Sequence, residues 1–332
     1  MTDQPAGIRD VAKAVGMSIT AVSLALNGRP GVSIETRRRV LAAADELGYR
    51  ANPQAQALRR GKSSTYGLVV RNLSNPFFLE VLAGAEEVAA DARATLLMLD
   101  SRYSLEHERA LVREMAAQRI AGLAIAPVGV GESMLLWQEL RPGTPLVALN
   151  AYAKGVTGIS RVQPDTATAV GRPMHRLAEL GHRAVAFVSA PRNLIADPDR
   201  LGHFKRLARE LGIRPYPLHT PLTIEDVRQG ARRLLVRPDP PTAFITNSDY
   251  TAHGIYKAAR DLSLRVGQHV SVVGHDDLPT SELLDPPLAT LRLDGRAMGR
   301  ALMTRLLGQE HTDYVGPVEL IERASLRAPQ FR

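Results

Sequence analysis

GIRDVAKAVGMSITAVSLALNG, residues 7–28, decides the fold of the N-terminal part of the chain. A first helix is predicted because apolar residues recur at helical spacing, at Ile8, Val11, Ala12 and Val15. Gly16 and Met17 break this pattern, and Ser18 then stands where the N-cap of a second helix accepts a backbone N–H. Two short helices joined by a tight, glycine-containing turn predict a helix-turn-helix, whose second helix enters the DNA major groove.

The second helix has an inward and an outward face. The inward stripe consists of Val22, Ala25 and Leu26. The side chains left facing outward are Ile19, Thr20, Ser23, Leu24 and Asn27. Ile19 and Leu24 cannot read a guanine by hydrogen bonds, but each can pack on a thymine methyl group. The alternative is that both pack against a third helix or against a partner chain.

A third helix follows, with Ser33 as its N-cap and Gly48 at its end. Its predicted buried face consists of Val40, Leu41, Ala44 and Leu47. Arg37, Arg38 and Arg39 lie near the start of this helix, where they can meet DNA phosphates.

Residues 49–63, YRANPQAQALRRGKS, predict a basic connector. Asn52 as N-cap and Pro53 at the first helical position would start a very short helix. A helix this short is marginal alone, so we expect it to order only against DNA and a second copy of itself. Leu58 is its one large apolar side chain, and basic residues surround it.

Positive charge is concentrated at the N-terminus. The formal net charge is +8, and residues 1–62 carry ten Lys or Arg against five Asp or Glu. This asymmetry is expected of a nucleic-acid-binding head on a near-neutral body. Cysteine is absent, which excludes disulfides and thiol chemistry and fits a reducing cytoplasm. We expect a cytoplasmic protein with no membrane partner, because no apolar run could span a bilayer and no signal-peptide pattern is present.

From Tyr66 onward, short apolar runs alternate with amphipathic helices. Continuous apolar strands that alternate with helices predict parallel sheets covered on both faces. One set of elements runs to Leu149 and a second begins near Ser160, so the predicted fold class is α/β with two doubly wound lobes. Open sheets of this kind bind ligands at the carboxyl ends of their strands, where we expect a cleft.

The sequence offers no support for catalysis. It lacks a Gly-x-Ser-x-Gly elbow, a Gly-x-x-x-x-Gly-Lys-Ser/Thr loop and a His-Glu-x-x-His motif. Gly129-Val-Gly131 follows a predicted strand, but two glycines form only a fragment of a dinucleotide-binding pattern. The nine histidines are scattered. We therefore expect no enzymatic activity, no cofactor and no metal site.

Several long motifs in order resemble the lactose-repressor/galactose-repressor family of bacterial transcription regulators. The head carries IRDVAKAVGMSITAVSLALNG and TRRRVLAAADELGYRANPQAQALRRG; the body carries YGLVVRNLSNPFF, LAELGHRAVAFVSAP and PTAFITNSDYTAHGIYKAARDLSLRVGQHVSVVGHDD. The resemblance covers nearly all 332 residues. It implies two hinged lobes like those of type I periplasmic binding proteins, with crossovers near Ile159, Leu293 and Val315.

The resemblance also implies how the chain divides. The segments are a helix-turn-helix head at 1–50, a hinge helix and linker at 51–63, a first lobe at 64–159 with 294–315, and a second lobe at 160–293 with 316–332. The C-terminal end adds no apolar heptad, so a homodimer is expected rather than a tetramer.

DNA contacts are predicted from the head and the hinge. The residues are Ser18, Ile19, Thr20, Ser23, Leu24, Asn27, Thr36, Arg37, Tyr49, Asn52, Ala55, Leu58 and Arg59. The resemblance implies that Leu58 wedges into the minor groove at the operator's centre and unstacks a base step. The operator is then a pseudopalindrome with a flexible pyrimidine–purine step in its middle. The alternative is that Leu58 packs in the core of its own chain.

Effector contacts are predicted in the cleft, and the residues are Phe77, Phe78, Leu194, Arg200, Leu222, Asp249 and Asp276. Arg200, in Arg-Leu-Gly-His-Phe, and Asp276, in Val-Gly-His-Asp-Asp, match effector-binding positions of the family. The alternatives are a core role for the two phenylalanines, an ion pair or helix cap for Arg200 and Asp276, and an N-cap role for Asp249. Leu194 and Leu222 stand where relatives carry polar or aromatic residues, which leaves a sugar, a purine or a less polar metabolite open as effector.

Together these features predict an effector-responsive transcriptional repressor. It would bind double-stranded operator DNA as a homodimer and a small metabolite between its lobes; whether the effector releases DNA or favours binding stays open. One alternative is a solute-binding protein for transport, which would lack the head and carry a signal peptide. The other is an α/β sugar-processing enzyme, which would need a nucleophile or phosphate loop in the cleft.

Overall fold

The structure is a computed structural model, which describes residues 6–49, 63–151, 155–191, 194 and 198–330. The chain divides into two compact units, Met1–Ser63 and Ser64–Arg332, called here the head and the body. Among the described residues, no helix combines the length and apolar character needed to cross a membrane.

The head contains helices α1 (Ile8–Val15), α2 (Ile19–Leu26) and α3 (Ile34–Glu46). Gly16 ends α1 in the left-handed conformation, with φ of 68°, which allows the tight turn before α2. The predicted caps are present: Ser18 Oγ accepts a hydrogen bond from Ala21 N (3.2 Å), and Ser33 Oγ accepts one from Thr36 N (3.1 Å). These contacts start the second and third helices where the sequence places them.

Small and β-branched side chains form the core of the head. The buried residues are Val11, Ala12, Val22, Ala25, Val40 and Ala44. The predicted buried face of α3 is half wrong, because Leu41 and Leu47 are 48% and 40% exposed. Helices of this length bring only a narrow stripe inward, and Val40 and Ala44 already fill it.

The body alternates strands and helices along the chain. Its first elements are β1 (Thr65–Val70), α4 (Phe77–Asp91), β2 (Thr95–Asp100), α5 (Leu105–Ala117), β3 (Gly122–Ile125), α6 (Glu132–Leu140), β4 (Leu146–Leu149) and β5 (Ser160–Pro164). The next are α7 (Thr166–Glu179), β6 (Ala184–Ser189), α8 (Pro198–Glu210), β7 (Arg214–His219), α9 (Ile224–Leu235), β8 (Ala243–Ile245), α10 (Asp249–Asp261) and β9 (Ser271–Val273). The last are a 3₁₀ turn (Pro279–Leu283), β10 (Thr290–Leu293), α11 (Gly295–Leu306), β11 (Tyr314–Gly316) and β12 (Val318–Ile321).

Two parallel sheets organise the body into two lobes. The first is six-stranded, in the order β11-β5-β4-β3-β1-β2, and the second is four-stranded, in the order β7-β6-β8-β9. Every pair within them is parallel, whereas β10 and β12 form a separate antiparallel ribbon. The predicted α/β class with two doubly wound parallel-sheet lobes is confirmed.

The chain crosses between the lobes at positions that differ from the predicted lobe boundaries. Ser160–Pro164 was assigned to the second lobe, but as β5 it pairs with β4 and with β11 in the first sheet. Gly316, also assigned to the second lobe, pairs with Pro164 in the same sheet. The chain therefore leaves the first sheet after Pro164 and after Gly316, because β5 and β11 complete its edge.

Candidate functional site

A cavity of about 880 Å³ lies in the body and is lined by residues of both lobes. Its walls follow the carboxyl ends of strands: Arg71 and Asn75 follow β1, Ala190 follows β6, and Asp276 follows β9. Parallel strands end at the same edge of their sheet, so their loops converge on one space. Five of the predicted effector contacts line this cavity: Phe77, Phe78, Arg200, Leu222 and Asp276.

Asp276 is the most constrained polar residue of the cavity wall. Its backbone has φ of 119°, in the region that L-residues rarely occupy, and Asp276 N donates to Leu291 O at 2.8 Å. Asn75 Nδ2 donates to Asp276 Oδ2 at 3.3 Å, while His275 Nδ1 lies 3.0 Å from Oδ1. Burial raises the pKa of Asp276 to about 8, against the opposing effects of Asn75 and the Arg200 charge. At neutral pH the side chain is therefore mainly a protonated acid that can donate a hydrogen bond.

Arg200 lies in the first turn of α8 beside aromatic side chains. Its guanidinium carbon is 5.8 Å from the centroid of the Phe187 ring, and Phe187 stacks on Phe204 at 5.0 Å. A guanidinium over an aromatic face is held by cation–π attraction, and its planar fork suits bidentate recognition of oxygen pairs. Arg200 is thus supported by the second lobe's core while its charge acts on Asp276.

Three of the apolar predicted contacts, Phe77, Phe78 and Leu222, are core residues that also form the cavity wall. Phe77 and Phe78 are buried, with ring centroids 5.6 Å apart in an edge-to-face arrangement. Leu222 is buried in the core of the second lobe. The core alternative therefore holds for Phe77 and Phe78, all three residues line the cavity, and their contact with effector stays a prediction.

Asp249 and Leu194 do not line the cavity. Asp249 is 1% exposed and accepts hydrogen bonds from Leu278 N (2.9 Å), Ser281 Oγ (2.6 Å) and Thr290 Oγ1 (2.5 Å). The prediction of a ligand contact is wrong for this residue, and so is the N-cap alternative, because Ser248 Oγ caps α10. Asp249 instead ties the start of α10 to the turn at 278–281 and to β10.

Leu194 is half-buried against the core of the second lobe. Its carbonyl oxygen accepts a hydrogen bond from Gly129 N, in the loop after β3, at 3.0 Å. Leu194 thus contributes a main-chain bond between the lobes, and the contact of its side chain with effector stays a prediction. Tyr103, in the loop after β2, makes a further connection because its ring lines the cavity and packs on the core of the second lobe.

Several polar lining residues were missed by sequence reasoning: Arg71, Asn150, Arg161, Lys205, His219 and Asn247. Arg71 donates to the carbonyl oxygens of Pro127 (3.3 Å) and Asn150 (3.2 Å), which joins three loops of the first lobe. A positional signal was available for Arg71 and Asn150, since each directly follows a strand. Arg161 lies inside a strand and Lys205 inside a helix, so position after a strand could not identify them.

The head exposes part of the predicted DNA-reading set. Ile19 is 43% exposed, and Ser18 and Thr20 are exposed beside it. Ser23, Leu24 and Asn27 are half-buried, and Asn27 Nδ2 donates to Ser23 O at 2.7 Å. The start of α2 is therefore the more accessible end of this helix, as expected of a helix that enters the major groove N-terminus first.

The other predicted DNA contacts have defined local roles or lie outside the described residues. Arg37 donates to Arg29 O at 3.0 Å, and the Thr36 hydroxyl lies 2.9 Å from Ser33 Oγ. Tyr49 packs against the core of the head. The residues outside the described part of the chain are Asn52, Ala55, Leu58 and Arg59.

A helix-turn-helix unit joined in one chain to a two-lobed α/β unit with a cavity defines a class of protein: sequence-reading regulators with a ligand-binding body. Residues 7–52 match the family described as "Bacterial regulatory proteins, lacI family", and residues 174–326 match the "Periplasmic binding protein-like domain". The chain belongs to the lacI family of bacterial regulatory proteins.

Relatives align over almost the whole chain. The HTH-type transcriptional repressor CytR of Escherichia coli (strain K12) is 30% identical over 97% of each chain. The HTH-type transcriptional regulator AglR of Rhizobium meliloti (strain 1021) is 32% identical over 97% of this chain and 94% of its own. The family predicted from the sequence is thereby confirmed.

Solved structures support the same assignment. The lac repressor dimer bound to operator and the anti-inducer ONPF is 27% identical, with a TM-score of 0.86 over 98% of this chain and all of that one. A complex of the transcriptional regulator CelR with cellobiose is 25% identical, with a TM-score of 0.69 over 96% of this chain. The architecture derived from the strands is thus that of a DNA-binding regulator with an effector-binding domain.

Proposed function

We propose that this protein is a homodimeric transcriptional repressor that binds a pseudopalindromic operator and responds to a small metabolite held in the cavity of the body. The observation that carries the proposal is one chain with both a helix-turn-helix head and an 880 Å³ cavity lined by two lobes. No described residues form a group of three or more His, Cys, Asp or Glu placed to hold a metal, and we propose neither cofactor nor enzymatic activity. The proposed location is the cytoplasm.

In this proposal, α2 reads base edges with its exposed first turn. Ser18, Ile19 and Thr20 supply contacts from that turn, and Ile19 packs on a thymine methyl group. The remaining predicted DNA contacts come from the rest of the head and from the connector. Those of the head are Ser23, Leu24, Asn27, Thr36, Arg37 and Tyr49, and those of the connector are Asn52, Ala55, Leu58 and Arg59. Phosphate contacts set position, while base contacts and the Leu58 wedge set specificity.

The effector acts in this proposal by differential affinity for two arrangements of the lobes. Asn75 and Gly129 of the first lobe already bond to Asp276 and Leu194 of the second. An effector that replaces or reinforces such bonds changes the position of one lobe relative to the other. We propose that this change is transmitted to the hinge at 51–63 and alters operator affinity.

The test separates the two units. Deleting residues 1–62 should abolish operator binding in a gel-shift assay, while the remaining body still dimerises in analytical ultracentrifugation. Arg200→Ala should keep operator binding without effector and lose the response to effector if the effector is an inducer. Were the effector a corepressor, the same change should cost the ligand-dependent part of DNA binding. Operator binding by the truncated body would contradict the head assignment.

A further inference from the structure

Two side chains of the first lobe hold the start of the loop after β3, residues 127–131, called here the connecting loop. Arg71, which lines the cavity, donates through Nη1 to Pro127 O at 3.3 Å. Glu108, 0% exposed on α5, accepts a hydrogen bond from Val128 N through Oε2 at 2.8 Å. The charge of Arg71 also acts on the Glu108 carboxyl. A buried carboxyl on a helix is a fixed acceptor, so it sets where this N–H points.

The end of the connecting loop is held by a second glutamate. Glu132, the first residue of α6, accepts a hydrogen bond from Val130 N through Oε2 at 3.0 Å. Val130 lines the cavity and is 38% exposed, so this part of the loop is within reach of a bound molecule. The two glutamates therefore fix the N–H groups on both sides of Gly129.

Gly129 lies between the two fixed N–H groups and donates to the other lobe. Its N–H reaches Leu194 O at 3.0 Å, and both groups belong to the main chain. Gly129 has φ of 74°, and a Cβ there would lie 2.7 Å from Glu132 Oε2, so glycine is required. The bond between the lobes thus depends on the conformation of the connecting loop.

A bond of this kind distinguishes two arrangements of the lobes. In one, Gly129 N is paired with Leu194 O, and in the other both groups would bond to water. The net free-energy difference for one such exchange is small, because water replaces the lost partner. A loop that is already held in the bonding conformation loses little conformational entropy when the bond forms. The two glutamates therefore favour the bonded arrangement.

We propose that the connecting loop is the latch through which an effector changes operator affinity, and that Glu108 and Glu132 are positioning residues that keep it in the bonding conformation. The inference rests on the proposed function of the cavity as the effector site. A molecule in the cavity would meet the latch at Val130 and at Arg71, and both contacts lead directly to the loop. Moving either one changes the bond to the second lobe.

The experiment compares full-length variants without effector. Glu132→Ala removes an acceptor on a half-buried side chain, so the protein should still fold. Glu108→Ala removes the buried acceptor, whereas Glu108→Gln keeps an oxygen for Val128 N. Glu114→Ala is the matched control, since Glu114 is exposed on α5 and its carboxyl contacts Gln118 of the same helix at 3.2 Å.

The first measurement is hydrogen exchange of the connecting loop by mass spectrometry. Exchange should become about tenfold faster in Glu132→Ala and in Glu108→Ala, because each variant loses one hydrogen bond that holds the loop. It should stay at the wild-type rate in Glu108→Gln and in Glu114→Ala. The glutamine variant separates loss of the acceptor from loss of the charge.

The second measurement is the distance between the lobes. The chain has no cysteine, so spin labels at Arg113→Cys on α5 and Arg209→Cys on α8, both exposed positions, can report it. Labelled protein is diluted with unlabelled protein, so that label pairs within one chain dominate. The distance distribution should shift or widen in Glu132→Ala and Glu108→Ala, and it should match the wild type in Glu108→Gln and Glu114→Ala.

The third measurement is affinity for operator DNA that the wild-type protein has selected from a random-sequence pool. Release of the latch should change this affinity by about fivefold or more in Glu132→Ala and Glu108→Ala, and the control should bind as the wild type does.

Two results would overturn the latch. Unchanged loop exchange or lobe distance in Glu132→Ala would show that the loop does not hold the lobes. A changed distance with unchanged operator affinity would show that the loop does not act on DNA binding. Failure of the wild type to select any sequence would count instead against the proposed function.

Discussion

Two buried aspartates lie near the ends of neighbouring strands in the second lobe, and their environments give them different roles. Asp249 accepts hydrogen bonds from three donors of its own lobe, and burial raises its pKa to about 6. Asp276 faces the cavity and contacts Asn75 of the other lobe. At neutral pH, Asp249 is therefore mainly an acceptor and Asp276 mainly a neutral acid.

Substituting each aspartate by asparagine should give different changes in stability at pH 7. Asp249→Asn places an amide NH₂ among donors, so it should lower the free energy of unfolding by about 1–3 kcal/mol. Asp276→Asn resembles the protonated acid already present in the folded state and removes the cost of protonating it, so it should leave stability equal or higher. Denaturant unfolding of the two variants and the wild type measures both changes. Greater destabilisation by Asp276→Asn would contradict these assignments.

The difference between these aspartates could not be predicted from the sequence. Asp249 and Asp276 both follow a strand in a polar run, and although the family resemblance matches Asp276 to an effector-binding position, neither signal shows which carboxyl is enclosed by its own lobe. The same rule correctly placed Arg200, Asp276 and the two phenylalanines on the cavity wall. It failed for Asp249 because the turn at Pro279–Leu283 and β10 fold over its carboxylate, and these contacts are distant in sequence.

At the scale of elements, α4 and α11 pack so closely that glycine is required on both. A Cβ at Gly84 of α4 would meet the carbonyl oxygen of Arg296, and a Cβ at Gly299 of α11 would meet that of Val81. Ion pairs flank the contact: Arg296 lies 3.0 Å from Glu80 and 2.9 Å from Glu87. These pairs are half-exposed and contribute little, so the close backbone approach holds the helices in register.

Gly299→Ala should therefore destabilise the body by about 1–3 kcal/mol, because the helices must move apart or the backbone must bend. Gly171→Ala is the control, since Gly171 lies inside α7 and a Cβ there would meet no atom within 4 Å. That substitution should be neutral or stabilising by up to about 1 kcal/mol, as alanine favours helix over glycine. Thermal unfolding of the two variants tests the contrast. Equal melting temperatures would show that α4 and α11 tolerate separation.

Element types along the body were largely predictable, and the exceptions have physical reasons. The alternation of apolar strands and amphipathic helices predicted from Tyr66 onward is present, with the apolar strand Leu146–Leu149 and the periodic helix Ile224–Leu235 as examples. Strand β7 was not predicted, because Pro215 and Pro217 argue against a strand. As an edge strand it pairs only with β6, so the missing N–H groups cost no hydrogen bonds on its open side.

At the scale of the whole body, the two lobes contain buried titratable groups whose protonation differs between the folded and unfolded states. Burial raises the pKa of Asp276 to about 8, of Glu108 to about 7 and of Asp249 to about 6. Glu108 is buried behind the loop after β3, where its Oε2 accepts a hydrogen bond from Val128 N at 2.8 Å. In the unfolded chain these carboxyls titrate near their ordinary values, around pH 4.

The stability of the body should consequently decline as pH rises. Each carboxyl binds its proton more tightly when folded, so its contribution is fully present below about pH 4 and is lost as pH rises through the folded pKa. Burial lowers the pKa of His182, so the neutral ring is favoured in the folded state and its contribution is complete once pH exceeds about 6.5. Between pH 7 and 8, Asp276 and Glu108 both still carry bound protons in the folded state, and Asp276 contributes more to the slope because its pKa is the higher of the two.

Asp276→Asn should therefore flatten the pH dependence of unfolding in this window. The wild type should lose up to about 1.4 kcal/mol per pH unit there through Asp276, whereas the variant should lose less. Asp261→Asn is the control, because Arg228 lowers the pKa of the exposed Asp261 carboxyl and its titration falls well below pH 7. Denaturant unfolding from pH 6 to 8 gives the three slopes. If the free energy of unfolding has the same slope against pH in the wild type, Asp276→Asn and Asp261→Asn, then Asp276 ionises normally in the folded body. Its role as a donor in the cavity then has to be withdrawn.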